Sequence, residues 1–293
     1  MVKIIDYSHR HFRPKITDGL EELVLFPDSE FKKQGIPNSS IWIFNNPNYQ
    51  PQIFENDVGC GMALGFISPV DVPQAAEKIA EFLDGKRILG RGNHFVDICT
   101  GFPESETQHM ELLIHTHTTG EAERVPQTIE EARSRVEKAS QFRLALYKQL
   151  VSVIGAKGSE QVHDWPHNTI ETEDGRVIYR KGVIKVQPNK IHLLPSSIGS
   201  TIYGYSVLEA SMLPYNSAPH GVGRRGPRGE TKVSLADAAS VRQYAYVPTR
   251  ISNSSLRTEH PSCFNSTANI FELWGKHMVC LGDLRILAYI GKI

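Results

Sequence analysis

The chain has 293 residues, of which 40% are hydrophobic, 9% aromatic and 22% charged, and 32 Lys and Arg residues balance 32 Asp and Glu residues. This composition is that of an ordinary folded protein, which excludes a collagen, a coiled-coil rod, a disordered chain and a strongly charged coat for nucleic acid. No apolar run reaches the ~18 residues that cross a bilayer, and the charged N-terminus lacks a signal-peptide core. We therefore expect a cytoplasmic protein that does not associate with membranes.

Two helices are predicted among short strands. The first covers about 73–84, because Asp71 lies three residues before Gln74 in a capping-box spacing and Gly85 can end the helix. The second covers about 128–154 and ends at Gly155, because apolar residues recur every three or four positions along it. Strands are predicted at 41–44, 63–67, 112–115, 177–179, 183–186 and 284–290.

Helices embedded among irregularly spaced strands predict an α+β fold rather than a repeated βαβ unit. No internal repeat, low-complexity tract or linker divides the chain, so we expect a single domain over residues 1–293. Four cysteines in a chain of this length do not suggest a disulfide framework.

Several short segments carry side chains that bind metals. Asp57 and Cys60 lie three positions apart between glycines, which would permit a tight turn at the end of a strand. Taken alone, this segment is more typical of a turn with a buried structural cysteine. A Gly-x-Gly at 90–92 precedes Asn93 and His94, but it lacks the third glycine and the strand–helix context of a dinucleotide site.

Two further segments contain pairs of histidines. If the strand at 112–115 continues, His115 and His117 project to one face and bring two imidazoles to one place. Pro166 argues against helical pairing of His163 with His167, so only one of these two need face a site. Together these segments offer oxygen, nitrogen and sulfur ligands, which suit Mn, Zn or Fe better than Ca or Mg. Structural or surface histidines remain the alternative for each residue taken alone.

Basic segments surround a candidate nucleophile. Glycines flank His220, and Arg224, Arg225 and Arg228 follow it as potential bidentate partners of phosphate oxygens. A neutral imidazole can attack an activated phosphorus and form a covalent intermediate. The stretch 175–208 carries five basic residues and no acidic one, and its turn at 195–201 presents hydroxyl and backbone N–H groups. A solvated basic loop and an ordinary turn are the alternatives.

Taken in order, these segments resemble the RtcB-type RNA ligases, which act in tRNA splicing and RNA repair. The motifs are DVGCGM at 57–62, GRGNHF at 90–95, LLIHT at 112–116, HNTIE at 167–171, YRKGVIK at 179–185, PSSIGS at 195–200, HGVGR at 220–224 and a C-terminal Gly-Lys. The resemblance covers about four-fifths of the chain. It implies one domain with mixed sheets and flanking helices around a central metal and nucleotide cleft.

The resemblance also implies an activity. The family joins an RNA 2′,3′-cyclic phosphate or 3′-phosphate end to a 5′-hydroxyl end, using GTP and two Mn²⁺ ions. Cys60 would bridge the ions, with Asp57 and His94 completing one shell and His115 and His167 the other. His220 would accept GMP from GTP. The resemblance leaves open whether a partner protein that promotes guanylylation is needed.

The other expected site residues contact nucleotide or RNA. The expected guanylate contacts are Asn93, His94, Phe95, Asp97, His167, Asn168, Pro195, Ser196, Ser197, Ile198, His220, Gly221, Val222, Gly223, Phe264 and Lys292. The expected contacts to RNA or phosphate are Arg180, Lys181, Arg224 and Arg225.

The chain departs from the family pattern around the base and beside one metal. Asp97 stands where the family has a guanine-binding Glu, and Phe264 falls near its guanine-stacking Tyr. After His115 the chain has Thr-His-Thr-Thr in place of a Ser- and Gly-rich stretch with an Arg. Two alternatives to a ligase therefore stand: a metal-dependent phosphoesterase that acts on RNA cyclic-phosphate ends, and a non-catalytic RNA-binding paralogue.

Overall fold

The computed structural model describes residues 2–8, 16–29, 35–54, 57–86, 88–90, 93–102, 109–120 and 125–291. The strands, in chain order, are β1 (Lys3–Asp6), β2 (Leu20–Leu25), β3 (Ser40–Phe44), β4 (Gly61–Ile67), β5 (Phe95–Thr100), β6 (Met110–Thr116), β7 (Gly158–Pro166), β8 (Asn168–Glu173), β9 (Arg176–Lys181), β10 (Val183–Lys185), β11 (His192–Leu194), β12 (Ile202–Val207), β13 (Ser217–Pro219) and β14 (Met278–Gly291). Every strand predicted from the sequence is present, and most extend beyond the predicted bounds.

The α-helices are α1 (Pro51–Phe54), α2 (Val72–Leu83), α3 (Ile129–Ile154), α4 (Leu235–Ser240), α5 (Asn253–Leu256) and α6 (Ala268–Trp274). Both predicted helices are confirmed with their caps. The Gln74 backbone N–H donates to the Asp71 carboxylate at 2.9 Å and so satisfies a donor that the helix leaves unpaired. Gly155 adopts a left-handed φ of 72° just after α3, which is the conformation that ends many helices.

The described strands form three sheets. A five-stranded sheet has the order β1-β2-β3-β9-β8, a seven-stranded sheet has the order β11-β12-β14-β5-β6-β4-β7, and β10 pairs with β13. All pairs are antiparallel except the parallel pair β1 and β2. Mixed sheets with a few helices confirm the α+β prediction, and no helix among the described residues is long and apolar enough to cross a membrane.

The long helix α3 packs against both large sheets. Its first turns place Ile129 and Ala132 in the core of the five-stranded sheet, beside residues such as Trp42. Its later turns place Leu146 and Leu150 in the larger core under the seven-stranded sheet. Burial of these apolar side chains holds the two sheets together through one rigid element. The site described below lies where the two sheets meet.

Candidate metal and nucleotide site

The strand register of the seven-stranded sheet brings distant residues to one edge. Gly61 at the start of β4 pairs with Thr116 at the end of β6 and with Pro166 at the end of β7. Phe95 at the start of β5 pairs with His115. The residues just outside these strand ends therefore converge, and they are Cys60, His94, His117 and His167.

Cys60, His115 and His167 form one group whose ligand atoms could hold a metal ion. Cys60 Sγ lies 3.3 Å from His115 Nε2, which in turn lies 3.4 Å from His167 Nε2. The His115 Nδ1–H donates to the Asn93 carbonyl at 2.9 Å, and this bond leaves the Nε2 lone pair facing the group.

Cys60, His94 and His117 form a second group that shares the same thiol. Cys60 Sγ lies 3.6 Å from His94 Nε2, and His117 Nδ1 lies 3.2 Å from that same His94 atom. The predicted partner Asp57 lies at the outer side, with its carboxylate 3.8 Å from His117 Nδ1. As predicted, His115 and His117 both face the cluster, whereas His163 stacks on Trp165 outside it.

The chemistry of this cluster fits divalent ions. Burial lowers the pKa of His115 and His167 well below the usual range and lowers the pKa of His94 to about 3. The imidazoles are therefore neutral near pH 7, which is the form that binds a metal. Each of the two groups offers one sulfur and two nitrogen donors, a set that suits borderline divalent ions.

The candidate nucleophile His220 lies beside this cluster. It follows β13, and its ring centroid is 4.7 Å from that of His167. His220 Nδ1 lies 3.5 Å from Asp28 Oδ2, and neither atom has a closer hydrogen-bond partner among the described residues. Gly182 has a φ of 64°, and a Cβ there would meet the His220 ring at 3.2 Å. A glycine at this position therefore leaves room for the imidazole.

A cleft of about 360 Å³ opens above the metal ligands and His220. Most of the predicted nucleotide contacts line it, namely Asn93, His94, Phe95, His167, Asn168, Pro195, Ser196, His220, Gly221, Val222, Gly223 and Phe264. The Asn168 side chain is already engaged: it donates to the Asp57 carbonyl at 2.8 Å and accepts from the Gly182 N–H at 2.7 Å. Asn168 therefore holds together the two loops that carry Asp57 and Gly182.

Three of the predicted base contacts do not line the cleft. Ser197 and Ile198 are buried beneath its wall. Asp97 lies two residues further along β5 than Phe95, on the same face of the strand, and its side chain is buried. Burial raises the Asp97 carboxyl pKa well above its usual range, and Oδ1 has no hydrogen-bond partner in the described part of the chain. Lys292 lies outside the described residues.

Of the predicted RNA or phosphate contacts, Arg180 and Lys181 are buried and do not line the cleft, whereas Arg224 is buried but contributes to the cleft lining. Arg180 is buried and donates to Glu171 at 2.6 Å and to Ser217 at 2.8 Å. Lys181 is buried and donates to the Ile53 carbonyl. Arg224 is buried against Glu259.

Two other arginines lie nearer to solvent. The fourth predicted contact, Arg225, is exposed, and its Nε donates to the Phe264 carbonyl at 2.9 Å. Arg228 lines the cleft, where it donates to the Asn93 side chain. Of these two arginines only Arg228 lines the cleft, and it also lies 3.6 Å from a Glu259 carboxylate oxygen.

Two buried polar residues support the site without being marked by any of the motifs. Asp28 follows β2 in a turn and has no local sequence signal. Arg143 of α3 donates to the Gly59 carbonyl at 2.8 Å and to the Thr116 carbonyl at 3.0 Å. Gly59 precedes Cys60, and Thr116 lies between His115 and His117. The signal for Arg143 was a charged residue within the apolar stripe of α3.

No known protein-family model matches this chain, and no curated protein matches it. The resemblance to RNA ligases therefore rests on the motifs and on what their residues do in the fold.

Proposed function

We propose that this chain is an RNA ligase that joins 3′-phosphate or 2′,3′-cyclic phosphate ends to 5′-hydroxyl ends, with GTP and two divalent ions, for which the resemblance implies Mn²⁺. One observation carries the proposal. His220 lies in one cleft with the two Cys/His groups, although five separate motifs supply these residues. If each of these residues had only a structural role, His220 and the two Cys/His groups would not need to lie in the same cleft.

The chain's own groups suit nucleotidyl transfer. When Asp28 accepts a hydrogen bond from Nδ1 of His220, the ring is held in the tautomer whose Nε2 keeps its lone pair. That lone pair attacks the α-phosphorus of GTP, a P–N bond forms, and pyrophosphate leaves. A 2′,3′-cyclic end is first opened by water, which breaks the P–O bond to the 2′ oxygen and leaves a 3′-phosphate. An oxygen of the RNA 3′-phosphate then attacks the same α-phosphorus and releases the imidazole. The RNA 5′-hydroxyl finally attacks the activated 3′-phosphate and expels GMP.

Ions held by the two Cys/His groups would supply Lewis-acid stabilisation of negative charge on the transferring phosphate. Around them, the cleft offers groups that orient a nucleotide. Gly221, Val222, Gly223, Ser196 and Arg228 all line this cleft. Fixing the reacting groups in this way lowers the entropic part of the barrier.

Labelling with radioactive nucleotide tests the proposal. Protein incubated with Mn²⁺ and α-³²P-GTP is expected to acquire an acid-labile label that is lost in His220→Ala and retained in His260→Ala, a histidine outside the cluster. A label that persists in His220→Ala contradicts the nucleophile assignment. If the wild-type protein takes up no label under any divalent ion, guanylyl transfer itself is wrong.

One observation favours a metal-dependent phosphoesterase as the second candidate. The Asp97 side chain is buried and does not line the cleft. The Arg224 guanidinium lies over the Phe264 ring at 4.3 Å from its centroid, so it occupies a face on which a base would stack. This candidate requires metal but no nucleotide. Metal-dependent hydrolysis of a 2′,3′-cyclic RNA end to a 3′-phosphate end in the absence of GTP, without joining when GTP is added, would support it over the ligase.

A further inference from the structure

His117 occupies a position that the ligase resemblance does not assign to the metal centre. The resemblance gives the first ion Asp57, Cys60 and His94 as its protein ligands. In the structure, the His117 side chain is buried at 2% exposure, and its Nδ1 is 3.2 Å from His94 Nε2. A second histidine therefore lies beside the first ion's expected ligands, in addition to the Asp57 carboxylate that the resemblance implies.

The backbone places His117 there. β6 ends at Thr116, and His117 lies two positions after His115, so both rings project to the same side. Gly90 makes room for the ring, because a Cβ at this position would lie 3.3 Å from His117 Cε1. The Thr116 hydroxyl donates to the Leu89 carbonyl at 2.7 Å, which joins the end of β6 to the loop before His94.

The donor spacing in the second group is that of atoms around a common ion. With Zn–S near 2.3 Å and Zn–N near 2.05 Å at tetrahedral angles, neighbouring donors lie about 3.3–3.6 Å apart. The two measured separations, from His94 Nε2 to Cys60 Sγ and to His117 Nδ1, are 3.6 and 3.2 Å. The Asp57 carboxylate is 47% exposed, so it remains available as an additional oxygen ligand from the solvent side.

We propose that His117 is a metal ligand, so that each of the two ions is held by Cys60 and two histidines, and that this set shifts the centre from Mn²⁺ towards Zn²⁺ and similar borderline ions. The inference rests on the metal centre of the proposed function. Imidazole and thiolate favour Zn²⁺, whereas Mn²⁺ gains most from carboxylate oxygen. Adding an imidazole nitrogen donor at the first ion therefore favours Zn²⁺ over Mn²⁺ there.

Variants at His117 test this assignment by metal binding alone. Almost every site with nitrogen and sulfur ligands prefers Zn²⁺ to Mn²⁺, so the informative quantity is the change in preference between variants. Metal-free protein is titrated with Zn²⁺ and with Mn²⁺ by calorimetry. In His117→Gln, one of two Zn²⁺ ions is expected to bind at least about tenfold more weakly, a loss of about 1.4 kcal/mol.

Introducing an oxygen donor at this position gives the opposite result. In His117→Asp, the ratio of the Mn²⁺ to the Zn²⁺ dissociation constant is expected to fall at least about tenfold relative to wild type. His260→Gln serves as the matched control and should bind both ions as wild type does. Two Zn²⁺ ions bound with wild-type affinity in His117→Gln, or an unchanged ratio in His117→Asp, would overturn the proposal.

A measurement on the unaltered protein does not depend on the folding of any variant. In ¹H–¹⁵N spectra of the histidine side chains, the ring nitrogens of His94, His115, His117 and His167 should shift on addition of Zn²⁺, while those of His163 stay in place. A His117 signal that Zn²⁺ does not move would overturn the assignment. None of these experiments uses GTP or RNA, so failure of the ligase proposal and failure of the His117 assignment give different results.

Discussion

At the scale of single residues, Glu111 is a buried acid away from the cleft. It lies in β6 with its side chain fully buried, and its Oε1 accepts a hydrogen bond from the Phe102 N–H at 3.1 Å. Its Oε2 has no hydrogen-bond partner among the described residues. Burial raises the carboxyl pKa to about 7, so the folded protein holds a proton there that the unfolded chain releases near pH 4.5.

This difference predicts a pH-dependent stability. Between pH 4.5 and 7 the folded state binds more protons than the unfolded state, so this group's contribution falls as pH rises. Glu111→Gln imitates the protonated carboxyl and removes that loss. The difference in free energy of unfolding between Glu111→Gln and wild type should therefore be about 2 kcal/mol more in favour of the variant at pH 8 than at pH 5.5. Urea unfolding of both proteins at both pH values measures this difference. If the free energy of unfolding changes equally with pH in the two proteins, the prediction is wrong.

Asp28 is the residue whose charge faces His220. In Asp28→Asn the amide keeps the size of the side chain but loses the negative charge that holds the Nδ1–H tautomer. We expect the rate of guanylylation to fall by about 100-fold or more while the stoichiometry of metal binding is unchanged. Rapid-quench labelling with α-³²P-GTP measures the rate. Asp18→Asn, in an exposed turn, should label at the wild-type rate, and a normal rate in Asp28→Asn would exclude a positioning role.

At the scale of elements, α3 supports the strand ends through one buried arginine. Arg143 pairs with Asp164 of β7 through two contacts, Nε to Oδ1 at 2.5 Å and Nη2 to Oδ2 at 2.9 Å. Its Nη1 donates to the Gly59 and Thr116 carbonyls, and these two residues directly precede Cys60 and His117. One guanidinium on a rigid helix therefore connects the ends of β4, β6 and β7.

Removing that guanidinium should cost stability and metal affinity together. Arg143→Met leaves the Asp164 carboxylate and two carbonyls without their donor, and we expect a loss of about 3–5 kcal/mol in the free energy of unfolding. Zn²⁺ affinity should fall as well, because the strand ends are no longer held in register. Arg133→Met, on an exposed face of the same helix, should change stability by less than about 0.5 kcal/mol. A similar small effect in Arg143→Met would contradict the supporting role.

The strands explain why the ligands could be found from sequence. Cys60 lies between Gly59 and Gly61 just before β4, and His167 follows Pro166 at the end of β7, so both side chains lie at strand ends. The two-residue side-chain period of an extended strand predicts that His115 and His117 project to one face. The sharing of Cys60 by both groups depends on the register between four strands, which no single segment reveals.

The basic residues show what a local pattern cannot reveal. Arg180 and Lys181 lie in a stretch without acids, which predicted a phosphate-binding surface. Their partners come from other elements: Glu171 of β8 binds Arg180, and the Ile53 carbonyl of α1 accepts from Lys181. Arg224 meets Glu259 in the same way. Burial and long-range pairing therefore removed these charges from the surface, and sequence windows cannot detect a partner from a distant segment.

At the scale of the whole molecule, the ligand cluster draws its residues from different sheets of the fold. His220 comes from the β10–β13 pair, while Cys60, His94 and His115 come from the seven-stranded sheet. The Val183 N–H donates to the His167 carbonyl at 3.0 Å, which links the two sheets directly at the site. The protonation state of the cluster is therefore connected to the stability of the molecule as a whole.

The metal-free protein should accordingly lose stability in mild acid. Burial lowers the pKa of His94 to about 3 and lowers that of His115 and His167, whereas the unfolded chain binds these protons near pH 6.5. The unfolded state therefore binds more protons below pH 6.5, and the free energy of unfolding should fall by at least about 2 kcal/mol between pH 7 and pH 5. Urea unfolding of chelator-treated protein measures this slope. His94→Gln should reduce the slope because one such proton is gone, whereas His260→Gln should keep it. A wild-type stability independent of pH in this range would show that the cluster does not stay neutral on folding.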